Sequence, residues 1–220
     1  MRRRATSRRY RSPEERRFRQ RRHPDRQQLL LNLRLSTKTA PRLRAIIDAL
    51  PELSGSPIRV RDQAPLRAHR GKLVSRTAPR GAPVHAAAFI RRRLIILATD
   101  LLARPHLLRL IFVHEIFHFV WARLGNGFRA AFSKVLAREQ QARARGELGE
   151  SAVIKKELLM PADCLRNSPA WRDYVCESFC DTAAWVYSGV RRHAAFTLGK
   201  RWKRSREAWF HLAFESGCRC

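Results

Sequence analysis

His114-Glu115-Ile116-Phe117-His118 sets two imidazoles four residues apart, with a carboxylate directly after the first. On a helix that spacing stacks both histidines on one face, where they can reach a single divalent metal. Glu115 is then turned about 100° around the axis, toward a water held on that metal. Imidazole nitrogens are strong zinc donors and a neighbouring carboxylate can take a proton, so the pentad is equipped for zinc-assisted hydrolysis. Its plain alternative use is as two core histidines bonded to carbonyls.

Catalytic zinc usually takes three protein ligands and keeps the fourth position open. The third is expected from Tyr174-Val175-Cys176-Glu177-Ser178-Phe179-Cys180-Asp181. Glu177 and Asp181 share a helical face, and two carboxylates so placed repel each other unless a cation lies between them. Zinc on Glu177, with Asp181 accepting the far ring N–H of a zinc-bound histidine, would resolve the clash and fix that ring's tautomer. Thiolates are also good zinc donors. Cys180, three residues beyond Glu177, is the nearer rival, whereas Cys176 is turned about 100° away.

Two helices must present these groups. One is expected over residues 105–124, with Pro105 in its first turn and Gly125 as a left-handed stop. Its apolar positions wrap nearly all round, as in a helix buried within a domain. There, an unpaired carboxylate and two imidazoles would each cost on the order of several kcal/mol, which a bound metal would relieve. The second is expected over residues 169–188, with Ser168 as N-cap, Pro169 at its first position and Gly189 as terminator.

The pair His114-Glu115-x-x-His118 and Glu177-x-x-x-Asp181 resembles the gluzincin, thermolysin-like group of zinc metallopeptidases. The resemblance covers residues 104–189 at the level of these motifs. It implies one Zn2+ held by His114, His118 and Glu177, with Asp181 orienting His114. It also implies hydrolysis of peptide bonds through zinc-activated water, with Glu115 as general base. For the oxyanion donor the sequence offers Tyr187 and His193.

The fold expected with it is α+β and zincin-like, mostly helical with a small sheet beside the active-site helix. Residues 86–90 and 94–99 read as short β-rich runs, at least one of them a strand, residues 58–61 as a candidate for a further strand, and residues 41–50 as an amphipathic helix. In zincins a strand beside the active-site helix offers its edge to an extended peptide. The resemblance implies that role for residues 94–98, whose plain reading is a core strand. Between His118 and Glu177 lie 58 residues, more than is usual in thermolysin-like enzymes. They hold a surface helix expected over 129–145 and a break at 146–150, an insertion long enough for a lid over the cleft.

At 220 residues and 45% hydrophobic content, the chain can build one catalytic domain, expected over 28–220. Residues 1–27 carry 12 arginines against three acids and read as a disordered tail. Five cysteines form no paired framework, which suits a reducing compartment. No uncharged 18-residue run exists to cross a membrane, so a cytoplasmic protein without a transmembrane segment is expected.

The net charge of +28 favours anionic partners. Basic clusters recur at Arg8-Arg9, at Arg91-Arg92-Arg93 and at Lys200-Arg201-Trp202-Lys203-Arg204, with Trp202 and Trp209 available for stacking on bases. Arginine outnumbers lysine 39 to 7, a bias that coding preference explains equally well. The alternative function is therefore a DNA-associated zinc protein, either a protease resembling the SprT-like group or a non-catalytic nucleic-acid binder. SprT-like proteins use a histidine as third ligand, and none lies between His118 and His193.

Overall fold

The structure, a computed structural model, describes residues 40–63, 66–69, 72–73 and 81–220. The expected arginine-rich tail of residues 1–27 lies outside the described residues.

In chain order the described elements begin with α1 (Ala40–Ile47), β1 (Leu53–Ser54), β2 (Arg59–Gln63), β3 (Arg67–His69), β4 (Lys72–Leu73), β5 (Ala82–Pro83) and β6 (Ala86–Phe89). A short 3-10 turn, Ile90–Arg92, leads into β7 (Leu94–Ala98), and a second, Thr99–Ala103, leads into α2 (Pro105–Arg123). Then follow α3 (Asn126–Gln141), α4 (Glu150–Glu157), α5 (Asp163–Arg166), α6 (Pro169–Tyr187), α7 (Lys200–Ala213) and β8 (Cys218–Arg219). The class is α+β, mostly helical with small sheets.

α2 forms where its sequence predicts, with Pro105 in the first turn. Its buried side chains, among them Leu108, Phe112, Val113, Ile116, Phe117 and Val120, point all round the axis. That pattern requires partners on every side. α6 supplies one of them and runs against α2. Ser168 caps α6 by accepting a hydrogen bond from Trp171 N at 3.1 Å, and Gly189 follows its end with φ +74°. The two helices meet through rings: Phe117 and Phe179 lie 5.9 Å apart, and Phe210 of α7 stands 5.0 Å from Phe179. All three are fully buried, each contributing roughly 1.5–3 kcal/mol of apolar transfer.

Beneath α2 runs a three-stranded sheet in the order β2-β7-β6. β2 is parallel to β7, and β6 is antiparallel to it, with Ala88 opposite Ile95 and Phe89 opposite Leu94. Val60, Ile95 and Leu97 bury the face that meets the core.

Two expectations are corrected. Gly125 is not a left-handed stop: its φ is −62°, and it caps the N-terminus of α3. α2 ends instead because Leu124 turns extended. The segment Leu94–Ala98 is not an edge strand either, since β2 and β6 pair with both of its sides. The edges are β2 and β6, neither of which has a second partner among the described residues.

The insertion between His118 and Glu177 is tied into the core. Arg206 of α7 is fully buried and holds Glu139 of α3 through Nη2 at 2.6 Å and Glu147 through Nη1 at 2.8 Å. Glu147 also receives Lys156 Nζ at 2.9 Å and Tyr174 OH at 2.6 Å.

Candidate metal centre

α2 brings His114 and His118 onto one face, one turn apart, and α6 brings Glu177 and Asp181 against them. His114 Nδ1 lies 2.7 Å from Asp181 Oδ1. With the ring proton on that nitrogen, donated to the carboxylate, Nε2 is left with a lone pair facing His118 and Glu177. His118 Nε2 is 3.1 Å from His114 Nε2. Glu177 Oε2 stands 3.3 Å from His114 Nε2 and 3.8 Å from His118 Nε2.

Three acceptor atoms thus converge on one point. Lone pairs so close repel unless a cation or a proton lies among them. Donors held 2.0–2.1 Å from a tetrahedral zinc are about 3.3 Å apart, so this triangle fits that ion. The residues present therefore suit a zinc ion.

The thiols occupy the opposite side of His118. Cys180 Sγ lies 3.4 Å and Cys176 Sγ 3.7 Å from His118 Nδ1. Cys176, expected to point away, is thus brought in beside Cys180. His114, His118 and Cys180 form a second possible donor set, with atoms within 4.8 Å of one another. The set with Glu177 is the tighter of the two. Cys180 is also fully buried, and that burial pushes its thiol well above the ordinary range, which keeps its proton on. Its sulfur meets the Nδ1 edge of His118 rather than the Nε2 edge, where it can accept from Nδ1–H. A hydrogen bond from Cys180 pulls Cys176 down to about 6.

The electrostatics follow from the packing. Burial by itself would lower His114, but the Asp181 charge and its hydrogen bond, helped by Glu177, raise it well above the ordinary imidazole value. Burial likewise works against the charged form of Glu177, yet, with a proton on His114 Nε2 where a metal would stand, hydrogen bonding from His114 and the charges of the two imidazoliums bring it below the usual carboxylate range. Burial raises Glu115, in the direction that a proton acceptor working near neutral pH needs. Glu115 also accepts a hydrogen bond from the Ala88 backbone N–H of β6. His85 C=O accepts from Ala98 N at 2.7 Å, so by alternation Ala86 and Ala88 turn their backbone groups toward the unpaired edge.

A cleft of about 530 Å³ opens beside these groups, and His85, Ala86, Leu107, Ile111, His114, Glu115, Ile154, His193 and Phe196 are among the residues lining it. His193 therefore reaches the cleft, and its Nδ1 accepts from Ala195 N at 3.2 Å, leaving the proton on Nε2. Tyr187 does not reach it: its ring stacks 5.5 Å from Phe117 and lines a different cavity. Trp209 is packed 4.9 Å from Phe132 against the core, and Trp202 lies under Arg201, so neither ring stands free as a base-stacking platform.

Sequence reasoning missed Gly149 and the buried Arg206. The Arg206 signal was present, since it lies four residues after Trp202 and four before Phe210 and so shares their apolar face. Comparison with protein-family models, with curated proteins and with solved structures gave no match to this chain.

Proposed function

We propose that the protein is a zinc-dependent metallopeptidase of the gluzincin pattern on a zincin-like fold. The convergence of His114 Nε2, His118 Nε2 and Glu177 Oε2 within 3.1–3.8 Å of one another carries the reading. Those three side chains would hold one zinc ion, which supplies Lewis acidity toward a water and a substrate carbonyl. Asp181 keeps the proton on His114 Nδ1, so that Nε2 faces the ion. Glu115 takes the proton of the attacking water and passes it to the leaving amine. His193 donates from Nε2 to the oxygen on which negative charge develops.

Substrate binding follows from the sheet edge. The outward backbone groups of Ala86 and the outward carbonyl of Ala88, whose N–H is taken by Glu115, suit addition of an extended peptide as a further strand, laid along the cleft that Glu115 lines. Leu107, Ile111, Ile154 and Phe196 offer apolar surface to its side chains.

Glu115→Gln preserves size and hydrogen bonding but cannot accept a proton. It should retain zinc and lose hydrolysis of a mixed peptide library, read by mass spectrometry, by at least about 100-fold. Turnover equal to that of the unaltered protein would reject Glu115 as the base.

A further inference from the structure

We propose that Gly149 is a positioning residue of the metal centre: having no side chain, it lets the loop before α4 close on the Asp181 carboxylate and lock the His114 ring. The proposal rests on the zinc reading above.

Backbone conformation does not demand glycine at this position. Gly149 has φ −173° and ψ 164°, extended geometry open to any residue. Space demands it instead. A Cβ at Gly149 would fall inside the van der Waals surface of Asp181, against Cγ and both carboxylate oxygens. The clash would need a displacement of about 1 Å to relieve.

Both oxygens are already committed. Oδ1 meets His114 Nδ1 at 2.7 Å, and Oδ2 accepts Ala152 N at 2.9 Å. Ala152 N lies in the first turn of α4, where backbone N–H groups lack partners within the helix. A carboxylate there is further favoured by the helix dipole. Asp181 therefore joins the start of α4 to the metal-facing histidine.

Nor can the loop retreat. Glu147, two residues before, is held by Arg206, Lys156 and Tyr174, and its carbonyl accepts from Thr197 N at 2.9 Å and Leu198 N at 3.0 Å. With the loop pinned, a side chain at 149 displaces Asp181, and His114 loses its set orientation.

The test is zinc affinity, measured by competition with a chromophoric chelator, for the unaltered chain, Gly149→Ala, Asp181→Ala and the double variant. Gly149→Ala should weaken zinc binding by about 10–100-fold, as loss of an orienting partner does. In the Asp181→Ala background the same change should cost nothing more, because the group it collides with is gone. Unchanged affinity in Gly149→Ala, or an equal loss in both backgrounds, would overturn the proposal. Should Gly149→Ala fail to fold, a folded double variant with the affinity of Asp181→Ala supports it, and an unfolded double variant overturns it. Absence of zinc binding in the unaltered chain would instead remove the zinc reading itself.

Discussion

Each imidazole at the centre has its two nitrogens in different surroundings. His114 turns Nδ1 to Asp181 and Nε2 to the convergence point, while His118 turns Nδ1 to two sulfurs and Nε2 to the same point. Asymmetry of this kind sets the tautomer of each neutral ring, which the proposed zinc site requires. His193 lines the cleft, with its Nδ1 accepting from Ala195 N, and is the oxyanion donor of the proposed reaction. His193→Ala should therefore lower kcat by about 10²–10³-fold, as removal of one oxyanion donor does, with KM for the same peptide little changed. A rise in KM alone would mean that the ring only binds substrate.

At the scale of elements, α2 and α6 form the frame, and α7 fastens the insertion to them. Arg206 is fully buried between Glu139 and Glu147, so its removal leaves Glu139 without its cation and Glu147 with Lys156 alone. Arg206→Leu should cost about 3–5 kcal/mol in urea unfolding of the metal-free protein. A loss below about 1 kcal/mol would show that the insertion is not anchored there. The insertion expected as a lid from its length lines the cleft through Leu148, Ser151 and Ile154 and is packed down there: the start of α4 is bonded to Asp181, and Glu147 is held on several sides.

Much of this frame was legible beforehand, since the i, i+4 spacing of the pentad, the Ser168-Pro169 start and the Gly189 stop are local signals with local causes. The shared face of Glu177 and Asp181 was legible too, because residues four apart on a helix lie one turn above each other. Strand order was not, as β6 and β7 read alike in sequence and only their neighbours decide which is the edge. Gly149 was equally hidden, since its partner Asp181 lies far along the chain and nothing in a single glycine reveals what presses on it.

Viewed as a whole, the molecule combines a partly buried cluster of acceptors with a strongly cationic chain of net charge +28. The two need not serve one purpose. Cationic charge draws anions at low ionic strength and is screened by salt, whereas the convergence of His114, His118 and Glu177 depends on packing. Among the described residues no helix is long and apolar enough to cross a membrane. The apolar surface of α2 packs on α6 and the sheet, while His114 and Glu115 line the cleft.

Metal content measured by mass spectrometry, on the protein purified from zinc-supplemented cells, addresses the central claim most directly. One zinc per chain should be found in the unaltered protein and in Cys180→Ser, and none in His118→Ala or Glu177→Ala. Loss of zinc in Cys180→Ser with retention in Glu177→Ala would contradict the account, as would a metal-free unaltered protein.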